Sequence, residues 1–492
     1  MPKTKIEVIM ASAEMKPLAK VGGLGDVVGS LPIALSKLGV KVKVFLPFYG
    51  SIDSKKFKVK LLKKNIETNI NTKAHTFSLY ELSLPKTKVK VCLIKNKHFN
   101  NKDVYLSDSK KTKKTNNNSR VDNIERFVLF SRAVVESIKV MKWKPDVVHC
   151  HDWHTALIPT FIDEYSLEDN NFDNVSSLYT IHNLANQGIT NLDITDYAGL
   201  HHDLTPAIME DYYDQDGGKI DSMKVGILSA DYINTVSPNY AKEILSKEYG
   251  AGLEDYLLRR KKHLSGILNG INTDLFNPSK DKFIEKKYSI KTFSTGKAKN
   301  KESLQNLSKL EKNDLPLFGL VSRLVSQKGL DILLPSLEAM LKKHDFQLVV
   351  LGTGQKEFED KFKVLAKKYP KKVKANITFD IALAQKIYAG SDFFLMPSRF
   401  EPCGLGQLIA MRYGTIPVVR STGGLKDTVV NNKTGIVFKN YKQKSMESAL
   451  ESSLKLYKNK TKFKNIALSG MKQDFSWNAS AKEYLKLYKK LK

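Results

Sequence analysis

The sequence predicts an α/β protein of two Rossmann-like domains, each a doubly wound parallel sheet, on three observations. Short β-rich runs alternate with amphipathic helical stretches along the chain, as a doubly wound sheet requires. Each apolar run ends in small, polar or charged residues, and these runs fall into two series. The length, 492 residues, exceeds one ordinary core and suits two domains of roughly 200 residues or more each.

In the first series Ile6–Met10 leads to Lys20-Val21-Gly22-Gly23-Leu24-Gly25-Asp26, and Val147–His149 leads to Cys150-His151-Asp152-Trp153-His154. Leu178–Ile181 runs into His182-Asn183, Tyr232–Val236 into Ser237-Pro238, and Gly266–Leu268 into Asn269-Gly270. Open parallel sheets bind ligands beyond the carboxyl ends of their strands, so these polar tips describe one long cleft edge. The second series begins after about residue 275. Leu317–Val321 leads into Ser322-Arg323-Leu324, Gln347–Leu351 into Gly352-Thr353-Gly354, Phe393–Met396 into Pro397-Ser398-Arg399, and Ile416–Val419 into Arg420-Ser421-Thr422-Gly423-Gly424. Phe276–Asp314, polar and lysine-rich, reads as a linker plus the first structure of the second domain. Lys110–Ser119 reads as a charged low-complexity loop, and Tyr484, Leu485, Leu487 and Tyr488 mark a terminal amphipathic helix. The expected division is therefore 1–270, 271–475 and a helix over 476–492.

Composition narrows the function classes. Hydrophobic content of 41% and aromatic content of 9% are ordinary for a soluble globular chain. No run of about 18 apolar residues is present, so no membrane span is expected. The chain enters its first apolar run almost at once, without signal-peptide or transit-peptide character. Cys92, Cys150 and Cys403 are far apart and odd in number, which argues against a disulfide scaffold and for a reducing, cytoplasmic setting. The net charge of +29 raises nucleic acid as a partner. The lysines are spread along the chain, and no helix-turn-helix, zinc or RNA-binding signature accompanies them, so they read as solvated surface. Such a surface still attracts anionic ligands such as sugar nucleotides.

The motifs then suggest chemistry. In Lys20–Asp26 the glycines let backbone N–H groups approach a ligand at a helix start, which suits phosphate, or they simply make a tight turn. Neither GxGxxG nor the P-loop spacing is met, which counts against a nicotinamide-dependent oxidoreductase. His149–His154 holds three histidines, a cysteine and an aspartate; adjacent strand residues point apart, so a sugar site is expected there rather than a metal. His182, at a strand tip, is either catalytic or a satisfied polar residue. Arg323 and Lys328 place two cations at one strand tip, the need of a diphosphate leaving group. Glu401 supplies a carboxylate at another tip, and Thr422, Gly423 and Gly424 offer a backbone N–H nest. An interdomain salt bridge for Arg323 or Glu401 is the structural alternative.

Taken in order, KVGGLGDV, CHDWH, TIHNLANQG, TVSPNYAKEI, YGAGLEDYL, LNGINTDLFNP, GLVSRLVSQKGLD, PSRFEPCGLGQL and STGGLKDTV resemble the bacterial glycogen synthases and plant starch synthases of glycosyltransferase family 5. The similarity runs from Ile6 to Trp477. It implies a GT-B fold, two Rossmann-like domains with a cleft between them, and a C-terminal helix returning to the first domain. It also implies a retaining glucosyltransferase moving glucose from ADP-glucose to the non-reducing end of an α-1,4-glucan such as glycogen. Donor would sit mainly on the second domain and acceptor on the first, with no metal and no cofactor beyond the co-substrate.

By the same resemblance Lys20, Gly22 and Gly23 approach the donor's phosphates and glucose, and Arg323 and Lys328 neutralise departing ADP. Glu401 holds the glucose hydroxyls, and Thr422, Gly423 and Gly424 cradle the distal phosphate. His182 contacts glucose, Asp152 lies where acceptor and donor meet, and Asn269 orients the sugar. Nucleotide-driven closure about hinges near residue 270 and Trp477 is a further expectation. Three positions depart from the family pattern: Asn186 where an aromatic is usual, Ile189-Thr190 after Gln187-Gly188, and Leu228-Ser229 for an aromatic pair. These fall on the acceptor side and bear on acceptor preference. The rival readings are a related enzyme using UDP-glucose or a non-glucan acceptor, and a catalytically silent glucan binder. Oligomeric state is left open.

Overall fold

The computed structural model describes residues 6–70, 73–106, 119–167, 169–190, 198 and 220–492. Of the low-complexity loop, residues 110–118 lie outside the described residues. The chain divides into two compact units. The first comprises Met1–Val236, Ala241–Ile267 and Trp477–Lys492; the second takes Ser237–Tyr240 and Leu268–Ser476.

The first unit is built on a nine-stranded sheet. Its strands are β1 (Glu7–Ala11), β2 (Lys41–Pro47), β3 (Lys60–Ile70), β4 (Lys73–Ser83), β5 (Lys90–Lys95), β6 (Val147–His151) and β7 (Ser176–Ile181). After a small antiparallel ribbon of β8 (Ile189–Thr190) and β9 (Ile220–Asp221) come β10 (Tyr232–Thr235) and β11 (Leu264–Gly266). The spatial order is β11-β10-β7-β6-β1-β2-β5-β4-β3. From β11 to β5 every pairing is parallel, and Val8, Ile9 and Met10 of β1 are wholly buried, as strands covered on both faces must be. The β3–β4 hairpin adds an antiparallel extension that the purely parallel expectation lacked. Chain order runs one way from β1 through β2 to β5 and the other way from β6 to β11. The switch point therefore lies between β1 and β6, the place where open sheets take ligands.

Two helices close over this sheet. Gly23–Lys37 follows β1 and buries Val27, Val28, Leu31 and Leu35, one face of a 3.6-residue repeat. Trp477–Leu491 buries Trp477, Ala481, Tyr484, Leu487 and Tyr488. The Tyr484 hydroxyl accepts from the Asn234 side chain at 2.9 Å, so the terminal helix is tied to β10 by a buried polar contact as well as by apolar packing.

The second unit is a six-stranded, fully parallel sheet in the order β14-β13-β12-β15-β16-β17. Its strands are β12 (Leu317–Val321), β13 (Gln347–Leu351), β14 (Val373–Asn376), β15 (Phe393–Met396), β16 (Ile416–Arg420) and β17 (Ile436–Phe438). Here the switch point lies between β12 and β15. Phe318 of β12 stacks on Phe393 of β15 with ring centroids 5.1 Å apart, which packs these two strands below the switch point. The polar stretch before β12 contains the helix Phe293–Leu307. Its Lys301 pairs at 2.7 Å with Asp392, whose Oδ2 also accepts the Leu317 N–H. Pairing and hydrogen bonding together make that buried charge tolerable. Among the described residues no helix is long and apolar enough to cross a membrane.

Candidate active site

In the second unit the site assembles at the switch point. β12 ends in Ser322 and Arg323, and a single turn over Ser326–Lys328 stops at Gly329, whose φ is +71°. A Cβ at Gly329 would lie 2.0 Å from the carbonyl oxygen of Pro397, so only glycine lets this turn press against the tip of β15. Lys328 is thereby delivered 2.7 Å from Glu401 Oε2, and the Ser398 hydroxyl donates to the same oxygen at 2.9 Å. Arg323, Lys328, Ser398 and Glu401 line one pocket of about 250 Å³, floored by Tyr388, Met396 and Leu405. Arg323 is exposed. Two cations and one carboxylate thus face a single hollow at the place where a doubly wound sheet binds its ligand.

Thr422, Gly423 and Gly424 do not line this pocket; Gly423 and Gly424 pack against the backbone of Glu401, Pro402 and Cys403. Thr422 is buried and precedes the helix Gly423–Thr428. A Cβ on Gly423 would sit 1.8 Å from the Glu401 carbonyl oxygen. The Gly424 N–H donates to the carbonyls of Glu401 and Pro402 at 3.1 and 3.2 Å. The expected open nest is therefore corrected at Gly424: its N–H grips the Glu401 segment and holds that carboxylate in place. Asn269 stands two residues further beyond β11 than expected, because β11 ends at Gly266. Its backbone N–H faces the buried Cys403 thiol, and its own Oδ1 is buried without a partner among the described residues. Gly329→Ala is expected to destabilise the second unit by about 2 kcal/mol or more, since strain and clash coincide. Denaturant unfolding checks it against Gly39→Ala, which sits at φ +89° in open space; equal losses would remove the clash from the account.

In the first unit the switch point gathers a different set. After β1 the chain reaches Glu14, which is buried. Glu14 Oε2 accepts the N–H groups of Val21 and Gly22, each at 2.7 Å, and its Oε1 accepts the Tyr105 hydroxyl at 2.7 Å. The Gly22 N–H expected to face phosphate is thus committed to a carboxylate. Gly23 stands in open space, and Lys20 pairs with Asp26 at 2.6 Å. No sequence motif singles out Glu14; its signal is a lone acid among small residues just past a buried strand.

β6 extends to His151, two residues beyond its expected end, so His149 and His151 share one face of the strand with rings 4.1 Å apart. The expectation that neighbours point apart holds for His149 and Cys150, not for this pair. His149 is closed by Tyr488 at 2.8 Å and Thr180 at 2.6 Å, while His151 Nδ1 meets His182 Nε2 at 3.0 Å. Asp152 follows with φ 57° and ψ −177°, a region that costs a non-glycine residue of order 1–3 kcal/mol. Its Oδ1 accepts the His182 N–H at 2.7 Å, and the Asn183 N–H also bonds the carboxylate. Strain at Asp152 thereby fixes the tip of β7 and with it His182. Burial pushes the Asp152 carboxyl up to about 7, although the His182 N–H opposes the shift. Burial drives His182 down to about 3, so its imidazole is neutral at physiological pH. Among the described residues no group of three or more His, Cys, Asp or Glu is disposed to hold a metal ion.

The structure thus brings Arg323, Lys328 and Glu401 together in one pocket with Gly423 and Gly424 against the Glu401 backbone, and separately brings Asp152 to His182 and Lys20 and Gly22 to Glu14. Comparison with known proteins gives these groups a context. A family model described as starch synthase catalytic domain matches residues 7–259, and one described as glycosyl transferases group 1 matches residues 302–469. The glycogen synthase of Thermodesulfovibrio yellowstonii is 40% identical, covering 99% of this chain and 98% of its own length. That of Thermosipho africanus is 42% identical, covering 99% of each. The catalytic domain of starch synthase IV from Arabidopsis thaliana, solved with ADP and acarbose, superposes with a TM-score of 0.87 at 32% identity, covering 99% of both chains. The fold is that of these synthases, and the chain belongs to the glycogen and starch synthase family of glycosyltransferases.

Proposed function

We propose that this enzyme transfers glucose from ADP-glucose to the non-reducing end of an α-1,4-glucan with retention of configuration, releasing ADP. One observation carries the reading most: the second unit's pocket faces Arg323, Lys328 and Glu401 into a single hollow at its switch point. Arg323 and Lys328 bind the diphosphate and take up the charge that builds on it as the bond from C1 to the phosphate oxygen breaks. Glu401, whose Oε2 is already engaged by Lys328 and Ser398, suits acceptance of sugar hydroxyl protons better than attack at C1. The acceptor hydroxyl then approaches from the leaving-group face, C1 bonds to its oxygen, and its proton passes to the departing diphosphate. Asn269, whose buried Oδ1 has no partner among the described residues, is ready to accept from a sugar hydroxyl. His182, neutral and held by Asp152, contacts the glucosyl unit from the first unit's strand tips. Lys20, Gly22 and Gly23 form the edge of that site.

The ADP-binding relative supports adenine over uracil in the donor, and two protein cations at the pocket support charge neutralisation without a metal. The three cysteines are free and buried, which suits action in a reducing cytoplasm. Nucleotide release measured with ADP-glucose and with UDP-glucose, on glycogen, tests the donor. Preference for ADP-glucose is expected, unchanged by a chelator. Equal or greater rates with UDP-glucose, or loss of activity on chelation, would overturn the respective parts.

A further inference from the structure

The two nitrogens of His182 are in different situations. Nε2 faces His151 Nδ1 at 3.0 Å, and Nδ1 makes no hydrogen bond to the described residues. At that separation one of the facing nitrogens carries the hydrogen and the other accepts it. Which one does so is decided by the far side of His151. That ring is wholly buried, and its Nε2 has no partner among the described residues. A proton on His151 Nε2 would leave a buried N–H unpaired, the rarer and costlier kind of orphan. A proton on Nδ1 is satisfied by His182 and leaves only a bare lone pair behind. Neither ring escapes by double protonation, since burial keeps His151 well below its ordinary range and His182 at about 3. His149 offers no alternative partner, because both its nitrogens are engaged by Tyr488 and Thr180.

We propose that His151 is a positioning residue: its Nδ1–H donates to His182 Nε2, which places the proton of His182 on Nδ1 and makes that N–H the donor offered to the glucosyl unit. The inference rests on the reading of His182 as a sugar-contacting residue. Asp152 clamps the His182 backbone at 2.7 Å while His151 holds the far side of its ring, so backbone and imidazole are both fixed. One hydrogen bond setting the tautomer at the other nitrogen is the general logic of histidine in active sites.

The test is NMR of the full chain labelled with 15N-histidine, at pH 7.5 without substrate, with His182→Gln identifying the His182 signals. Protonated and bare ring nitrogens are separated by their shifts. The expected result is a protonated Nδ1 and a bare Nε2 on His182; the opposite tautomer overturns the proposal whatever the activity. His151→Asn keeps a side-chain N–H donor near the place of Nδ1 and is expected to retain that tautomer and turnover within about threefold. His151→Leu removes the donor and is expected to mix the His182 tautomers and lower kcat roughly tenfold or more, with a smaller change in KM. Equal losses in the two variants would overturn the proposal. If His151→Leu does not fold, the wild-type and His151→Asn spectra decide it alone. Undiminished turnover in His182→Ala would instead sink the sugar-contact reading, and the measured tautomer would stand apart from it.

Discussion

Arg323→Ala and Lys328→Ala are each expected to cut turnover by about 10²-fold or more, because each removes a cation from the charge developing on the leaving diphosphate. The two variants should differ in stability. Arg323 is exposed, so its removal is expected to change stability by no more than about 0.5 kcal/mol. Lys328 is paired at 2.7 Å with a Glu401 side chain that is only 8% exposed. Taking Lys328 away leaves a buried carboxylate whose remaining side-chain partner among the described residues is Ser398, and breaking such pairs costs on the order of 3–5 kcal/mol. Lys328→Met combined with Glu401→Gln should recover much of that stability while remaining inactive. Steady-state kinetics and denaturant unfolding on the same preparations check the set. Near-wild-type turnover in both single variants would remove the donor site from this pocket. Full stability in Lys328→Ala would mean that the ion pair is not buried in solution.

Much of this arrangement was legible in the sequence because strand tips are punctuated. β12, β13 and β15 have the bounds their apolar runs suggest, and each runs straight into a tip of small, polar or charged residues. A switch point in each unit follows from such tips only once strand order is known, and strand order is a long-range property that no local pattern carries. The β3–β4 hairpin is hard to read from the sequence for a physical reason. Six consecutive residues of β3, Lys60–Asn65, are exposed, and only Ile66, Thr68 and Ile70 turn inward. Its periodicity is therefore confined to one end and hidden among lysines. β6 runs two residues past the expected Val147–His149 because Cys150-His151 reads as the start of a polar tip, whereas His182 as a partner lets the strand bury His151. Glu14 is not legible locally because its role depends on three donors 7 to 91 residues away. Gly424 had the right place but another partner, since a backbone N–H beside Glu401 meets the chain's own carbonyls first.

The same buried histidines should make the first unit acid-sensitive. Burial drives His154 and His182 down to about 3, and His149 and His151 well below their ordinary range. In the unfolded chain each takes a proton near pH 6.5. Their neutral burial therefore favours the folded state above about pH 6.5, and that advantage is lost as the pH falls and the unfolded state binds protons. Two carboxyls act in the opposite sense. Burial raises Asp152 to about 7 and Asp163 to about 6, with Asp231 adding to the second, so the folded state holds protons there that the unfolded chain has released above about pH 4. Four imidazoles against two carboxyls leave the unfolded state about two protons ahead between pH 6 and pH 5, and stability should fall by about 2–3 kcal/mol across that unit. All three tryptophans, Trp143, Trp153 and Trp477, lie in the first unit, so intrinsic fluorescence in urea reports on it selectively. His154→Phe, which removes one of the four protonations, should flatten the dependence by about 1.4 kcal/mol per pH unit. An unfolding midpoint that stays constant from pH 7.5 to pH 5, or rises on acidification, would show that these imidazoles are not buried neutral, and the polar core beneath His182 would have to be rebuilt.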